Sequence, residues 1–332
     1  MNTLEVDYWF ENPEGLGNIY LRPQRTPEIP KKLREENSKK LLDKAYLELR
    51  ETPKLPRKRP REDNSYQKQM HKHTFSYYSS NLGNPPTDPI FTKRINQEIR
   101  NFSRNLPCHE NAAIFVKMNE SNIQELQAVL TGVLGTPYQN GLFHFSIKLP
   151  NNYPMSPPRI RLTNTGGVMR FNPNLYANGT VCLSILNTWE GSAEERWNPI
   201  TRNIAGVLVC IQSLVMDSNI VQKEPSFETM SPECPENKAY QTIVKYGTIK
   251  YAMVNMLKNP PEEFKELVKA HFKNKREEII TQVLSYVEEA DQFNPNVVFQ
   301  NRRTANELAR QGPKTAFMDT VNDLIDLLSE ID

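Results

Sequence analysis

Nowhere in these 332 residues do eighteen apolar residues run together, so no membrane-spanning helix is expected. Cysteine is scarce. Cys108, Cys182, Cys210 and Cys234 form no CxxC pair and no dense framework. That excludes a disulfide scaffold, argues against a structural metal site, and fits reduced thiols in cytosol or nucleus. Neither sign of charge is in excess: 41 Lys and Arg stand against 39 Asp and Glu, a net +2. So weak a field steers the chain to neither nucleic acid nor anionic lipid. Glycine is sparse, 13 residues against 25 prolines, which points to extended or capped segments. The opening MNTLEVDYWFENPEGLG has no basic start followed by an apolar stretch, so no secretory signal is expected. Hydrophobic residues make up 38% of the chain. That is below an ordinary globular share, so part of the chain is expected to fold and part not.

Residues 1–87 read as a basic, mostly disordered region. Between Arg22 and Arg61 fourteen Lys and Arg face six Asp and Glu, with six prolines interspersed. Too little apolar material is present there to offset the entropy of folding. Within it, 38–51 (SKKLLDKAYLELRE) sets Leu41, Leu42, Ala45 and Leu49 on one helical face. Arg57-Lys58-Arg59-Pro60-Arg61 is a basic cluster of the nuclear-import or nucleic-acid-contact kind, and equally common in solvated tails.

The texture changes at Asp88-Pro89, which starts a helix to about Arg104 with Ile90, Ile95, Ile99 and Phe102 on its apolar face. Four strands follow: 112–118, 125–131, 141–149 and 159–162. In the third, Phe143, Phe145, Ile147 and Leu149 alternate with His144, Ser146 and Lys148. Short sequential strands with Gly, Pro and Asn turns read as an antiparallel meander needing a cover on one face. Helices supply it. Over 201–215, Ile204, Val207, Leu208, Ile211, Leu214 and Val215 repeat at helical spacing, the mark of a buried helix. Helical patterns recur at 236–257 and 262–289, broken by Pro260-Pro261. The expectation is an α+β domain over 88–291, an N-terminal helix and four-stranded meander covered by helices, with a helical C-terminal extension. Residues 292–332 read as a linker and an acidic amphipathic helix.

The chemistry concentrates between residues 150 and 226. Pro150 to Pro158 is too proline-dense to pair as a strand and forms a rigid turn. Cys182 follows the Asn178-Gly179 turn in a loop between sheet and helix, where reactive groups are commonly placed. A cysteine hydrolase needs a base, usually His. None of the five histidines lies in this segment, so a Cys-His protease is poorly supported. Metal ligands are missing beside it. Acyl transfer through a thioester needs no strong base, only an oxyanion donor and help in deprotonating an amine. Asn174, eight positions before Cys182, is a side-chain amide donor. An inert, buried cysteine is the plainer alternative.

Five signals stand in order: Thr136-Pro137-Tyr138 with Gly141-Leu142-Phe143; Tyr153-Pro154-x-x-Pro157-Pro158; Asn172-Pro173-Asn174; Cys182; and Trp197-Asn198-Pro199. This array resembles the ubiquitin-conjugating enzyme (UBC) family over about residues 88 to 290. Thr165-Gly166-Gly167, Arg170 to Tyr176, Cys182 to Trp189 and Glu224-Pro225 are similar to the conjugating domain of the giant inhibitor-of-apoptosis branch, the BRUCE/apollon type. Members of that branch act as conjugating enzyme and ligase together.

The resemblance implies a role for each matching residue. Cys182 corresponds to the thioester-forming cysteine. Asn174 matches the asparagine that stabilises the oxyanion or the loop around it. Glu224 stands where relatives carry an acidic gate that helps the attacking lysine lose its proton, and Asn219 near a second polar gate position. Asn172 replaces the family's usual, mainly structural His. The loop 187–197 (NTWEGSAEERW) is longer than in small relatives. Contact with a ligase and the activating enzyme would involve Lys93, Arg94, Pro154, Met155, Asn198 and Pro199. Methionine at 155, where enzymes serving thioester-forming ligases often carry Phe, leaves RING-type contact open.

What the resemblance implies is a transferase without cofactor or metal. It would take ubiquitin or a ubiquitin-like protein from the ATP-dependent activating enzyme onto Cys182 and pass it to substrate lysines. Its place would be the cytoplasm or nucleus, with a link to apoptosis regulation, and no membrane partner. The rival is a catalytically silent UBC-like scaffold, against which an intact Cys182 with Asn174 argues. A third reading, nucleic-acid binding by the basic tail, is weakened by the small net charge.

Overall fold

The computed structural model describes residues 65–80 and 88–331. The helical pattern at 38–51 and the basic cluster at 57–61 lie outside the described residues.

The described chain opens with a helix, α1 (Ser65–His71), and a strand, β1 (Phe75–Tyr78). Both fall in the region expected to lack structure, so that expectation is corrected for residues 65–80. The reason is tertiary. β1 pairs in parallel with β3 (Ala112–Asn119), Phe75 opposite Val116, while Tyr66 and Met70 of α1 are buried in the core. Tyr66 Oη lies 2.9 Å from His271 Nδ1, and His271 Nε2 lies 3.0 Å from the Asn140 carbonyl. Four residues of strand with two apolar anchors carry too short a pattern to be read without these partners.

Helix α2 runs Pro89–Asn105, and Asp88 Oδ1 caps it by accepting the Ile90 N–H at 2.9 Å. Then come β2 (Cys108–His109), β3, β4 (Glu125–Thr131), β5 (Leu142–Lys148) and β6 (Arg159–Leu162). The last two elements of this meander and β4 fall where the sequence places them. β3 to β6 form the expected four-stranded antiparallel meander, and two further strands join it among the described residues, giving the order β1-β3-β4-β5-β6 with β2 pairing β3. On β5 the expected alternation holds: Phe143, Phe145 and Ile147 are buried. Its other face is covered as well, because Phe264 meets His144 edge-on at 5.7 Å and Gln127 Nε2 donates to Glu263 Oε1.

The buried helix is α3 (Ile204–Cys210), widening into a π-type turn over Ile211–Val215 where Met216 N–H reaches the Ile211 carbonyl at 3.0 Å. The extra residue in that turn rotates Leu214 outwards, to 62% exposure, so it is not a core residue as its spacing implied. Helix α4 (Pro235–Gly247) continues through a second wide stretch, Thr248–Val254, and a last turn, Asn255–Lys258. The pattern at 262–289 forms two helices, α5 (Lys265–Asn274) and α6 (Arg276–Glu289). Lys275, at φ -105 and ψ 8, makes the break. The supposed linker contains another helix, α7 (Arg302–Gln311). Its buried stripe is only Thr304, Ala305 and Leu308, too narrow to register as apolar periodicity. Helix α8 (Pro313–Ser329) buries Phe317, Val321, Leu324 and Leu328 as expected. No described helix is long and apolar enough to cross a membrane.

Candidate active site

After β6 the chain folds back on itself. Arg161 bridges to Thr180, and Leu175 to Val181. Asn178 and Gly179 turn the loop: Asn178 Oδ1 accepts the Thr180 N–H at 3.0 Å. Gly179 sits at φ +88, and a Cβ there would lie 2.4 Å from the Leu162 carbonyl, so only glycine fits. This reversal carries Cys182 back beside Asn174. The Cys182 N–H donates to the Asn174 carbonyl at 2.9 Å, and Asn174 Nδ2 donates to the Cys182 carbonyl at 2.8 Å.

Asn172 anchors the loop from beneath. It is fully buried, its Oδ1 accepts the Asn174 N–H, and its Nδ2 donates to the Val215 carbonyl at 2.9 Å and to Tyr138 Oη at 3.3 Å. Tyr138 in turn donates to the Phe171 carbonyl at 2.7 Å. An amide thus does the bracing that the family usually assigns to His, with every polar end satisfied.

The Cys182 thiol is partly buried. Burial pushes its pKa up; a hydrogen bond with Tyr176, the Arg170 cation and a hydrogen bond with Thr188 pull the other way without cancelling it. Arg170 lies over the Tyr176 ring at 4.3 Å and sends Nη2 to the Pro173 carbonyl at 2.7 Å. Glu224 joins the same cluster. Its Oε1 stands 3.5 Å from Arg170 Nη2 and accepts from Gln300 Nε2 at 2.7 Å. The structure therefore draws Cys182, Asn174 and Glu224 into one neighbourhood. Asp217 is instead paired with Lys223 Nζ at 2.7 Å, and Asn219 bonds through its backbone N–H to Asp217 Oδ1 at 3.0 Å. Nothing among the described contacts ties the Asn219 side chain to Cys182.

Arg170, Tyr176, Gln300 and Asn301 take part in this cluster without having been picked out by role. The first two lie inside a segment that carries the family resemblance, and their proximity to Cys182 in sequence was the available signal. Gln300 and Asn301 had none, since they arrive from the far end of the chain. No group of three or more His, Cys, Asp or Glu that could hold a metal occurs among the described residues.

Two of the expected contact residues are corrected. Arg94 is 8% exposed: Nε meets Glu98 Oε1 at 2.7 Å, Nη1 donates to the Pro199 carbonyl at 2.7 Å, and Nη2 to the Arg202 carbonyl. Its charge is consumed inside the protein, clamping α2 to the 199–202 loop. Glu98 completes that network through Tyr153 Oη at 2.6 Å and the Ile204 N–H at 3.1 Å. Pro154 is also buried, its carbonyl accepting from Trp197 Nε1 at 2.6 Å. Around these lie Lys93 and Asn198, both exposed, Met155 at 67% and Ile200 at 87% exposure, and the half-buried Pro199.

This α+β fold, with its cysteine loop between sheet and buried helix, carries a domain of the ubiquitin-conjugating enzyme family over residues 94–248. The family model described as "Ubiquitin-conjugating enzyme" matches residues 94–248. Among individual relatives, the human dual E2 ubiquitin-conjugating enzyme/E3 ubiquitin-protein ligase BIRC6 is 39% identical over 205 residues, covering 60% of this chain and 4% of its own length. The mouse protein of that name is 33% identical over 312 residues, covering 85% of this chain and 6% of its own. A probable ubiquitin-conjugating enzyme of Caenorhabditis elegans, protein 17, is 39% identical over 201 residues, 59% of this chain and 28% of that protein. The chain thus spans only a small part of these relatives' length.

Proposed function

We propose that this chain is a ubiquitin-conjugating enzyme working through Cys182. Ubiquitin or a ubiquitin-like protein arrives as a thioester on the activating enzyme, where ATP has already been used. The Cys182 thiol attacks the thioester carbonyl, the activating enzyme's sulfur leaves with the bonding electron pair, and the Cys182 proton passes to it through solvent. A substrate lysine amine then attacks the acyl carbon on Cys182. The C–N bond forms, the C–S bond breaks, the electron pair returns to Cys182, and the amine proton passes to Glu224 or solvent.

The observation carrying this reading is the two-way bond between Asn174 and Cys182 beside a partly buried thiol. Burial penalises a free thiolate but not a neutral thioester, so this environment favours the acylated cysteine. The exposed surface of Lys93, Met155, Asn198 and Ile200, with the half-buried Pro199 among them, suits the activating enzyme and a RING-type ligase, with protein substrates approaching Cys182 itself. Cytoplasm or nucleus is the compartment that goes with this chemistry.

A thioester assay with activating enzyme, ATP and a panel of modifiers, run with and without reductant, tests the proposal. A reductant-labile adduct is expected, lost in Cys182→Ala and converted to a hydroxylamine-labile ester in Cys182→Ser. Cys108 pairs with Ala113 in β2, Cys210 closes α3, and Cys234 Sγ accepts the Asn237 N–H at the start of α4; none stands in the Asn174 loop, so none of them is expected to carry the acyl group. An adduct that survives Cys182→Ala refutes the assignment; no adduct with any modifier favours the silent scaffold.

A further inference from the structure

The active-site loop is held by a segment distant in sequence. Asn301 immediately precedes α7, at φ 57 and ψ 32. An asparagine in front of a helix ordinarily turns its side chain onto the free N–H groups of the first turn. Asn301 makes no such cap. Its Oδ1 accepts the Arg170 N–H at 2.9 Å, and its Nδ2 donates to the Arg170 carbonyl at 2.8 Å, across 131 residues. Both ends of one carboxamide are spent on one backbone unit, as a paired strand residue would spend its own amide. Tyr240 Oη donates to the same carbonyl at 3.2 Å.

The neighbours of Asn301 reinforce the contact. Gln300 Nε2 donates to Glu224 Oε1 at 2.7 Å. Phe299 stacks on Phe227, centroids 5.1 Å apart and 15° between planes, and meets Tyr240 edge-on at 6.2 Å. Phe227 lies three residues beyond Glu224, so this stack and the Gln300 bond restrain the same loop.

We infer that Asn301 and Gln300 are positioning residues of the transfer site, setting the Arg170 guanidinium and the Glu224 carboxylate against Tyr176 and Cys182. The Arg170 guanidinium is held directly at one end only, by Nη2 on the Pro173 carbonyl at 2.7 Å and by the Tyr176 ring beneath it. Its ion pair with Glu224 is long, at 3.5 Å, and its Nε is buried with no partner. Where the guanidinium sits over Tyr176 therefore also depends on the backbone that carries Arg170, and Asn301 holds that backbone on both sides. A cation fixed there stabilises negative charge on the departing Cys182 sulfur. Gln300 and Arg170 both use Oε1 of Glu224, so among the described contacts Oε2 is left for an incoming ammonium. The C-terminal extension then belongs to the site as a strap across it. The kinetic part of this inference rests on the transfer proposed above.

The test uses the full chain with Asn301→Ala, Asn301→Asp, Gln300→Ala and Arg170→Ala. Lys258→Ala is the control, since it cuts the exposed Lys258–Asp323 pair, which tethers α8 by a different contact. The first measurement is alkylation of Cys182 by iodoacetamide from about pH 6 to about pH 10, read by mass spectrometry of its peptide. Arg170→Ala and Asn301→Ala are expected to raise the midpoint in parallel by ~0.5 unit or more. Lys258→Ala should leave it in place. This reading needs no modifier and no charging. The second is single-turnover discharge of the Cys182 thioester to free lysine. Asn301→Ala and Gln300→Ala should slow it ~10- to 100-fold through misplacement of the two groups, with charging little changed. Asn301→Asp keeps the acceptor and loses the donor, and should fall between. A folded Asn301→Ala or Gln300→Ala protein with wild-type discharge, and a wild-type midpoint in Asn301→Ala, would overturn the inference. A midpoint shift in a chain that never charges would overturn the transfer proposal instead and leave the positioning role standing.

Discussion

Asn174 and Cys182 hold each other by two hydrogen bonds that run in opposite directions, 2.9 Å from the cysteine N–H and 2.8 Å back to its carbonyl. The pair fixes the backbone on both sides of the thiol, and it engages the amide to which the proposed transfer assigns the oxyanion. Asn174 is thus a brace at rest, and serving the oxyanion would require it to release the Cys182 carbonyl.

Asn174→Ala separates these duties. Leaving the Cys182 carbonyl without its donor is expected to cost ~1–3 kcal/mol of stability. Loss of an oxyanion donor would in addition slow discharge to lysine by ~100-fold or more, with charging nearly normal. Thermal melts and a single-turnover chase read the two effects independently. A stability loss with unchanged discharge would make the residue a brace alone.

Glu224→Gln addresses proton removal from the attacking amine. A free lysine has a pKa near ~10.4, so near neutrality almost none of it can attack. A carboxylate that orients the ammonium and accepts its proton is worth ~100-fold. The variant should be slowest near pH 7 and recover in part at higher pH, while Cys182 charges normally. Parallel rate–pH curves for variant and wild type would move the gate elsewhere. Asp217 is then the next group to test, though its carboxylate is committed to Lys223 at 2.7 Å.

Truncation should divide the N-terminal region in two. Removing residues 1–64 is expected to leave charging and discharge intact, with location or substrate choice altered instead. Removing residues 1–80 also strips α1 and β1, uncovers the β3 edge and leaves His271 Nδ1 without Tyr66. Losing the buried Tyr66 and Met70 should cost several kcal/mol, since each large core side chain removed costs ~2–5 kcal/mol. Melting temperature and residual charging of the two products check this. Equal stability of both would mean the α1 and β1 contacts contribute nothing.

Acid should destabilise the fold through two histidines. Burial lowers the pKa of His144 and of His271 to about 4 each, against 6.5 unperturbed. Below pH 6.5 the unfolded chain therefore binds protons that the folded chain refuses. Stability is complete above that value, falls as pH drops towards about 4, and levels off below it. Each imidazole contributes a slope of up to ~1.4 kcal/mol per pH unit. Denaturant melts between those limits measure it. His144→Gln, which retains a partner for Gln127, should remove one share of the slope; an unchanged slope would assign the acid sensitivity to other groups.

Much of the scaffold was legible in the residues because its signals are local. Asp88-Pro89 announced the start of a helix, which the structure shows capped by Asp88. The alternation from Phe143 to Leu149 announced a strand with one buried face. The signals failed where a pattern was interrupted without changing its composition. Nothing in Ile211 to Val215 marks the wide turn that exposes Leu214, and Lys275 looks like any helical lysine, yet it divides α5 from α6. In the site, the Asn178-Gly179 turn and the spacing of eight residues placed Asn174 near Cys182, while the roles of these residues and of Asn172 were what the family resemblance implied.

By itself, then, the sequence determined the meander, the amphipathic helices and the position of a lone thiol after a tight turn. Periodicity and turn chemistry are settled among near neighbours, so they survive reading in one dimension. The tertiary structure alone decided how charges and amides are spent. Arg94 could not be known as an internal clamp until Pro199, 105 residues on, was brought against it. Glu224 could not be known to share Arg170 with the Tyr176–Cys182 pair, nor Asn301 to grip Arg170 across 131 residues. The physical reason is common to all three. A buried polar group must find a partner, and which partner it finds is set by the packing of distant elements rather than by the residues beside it.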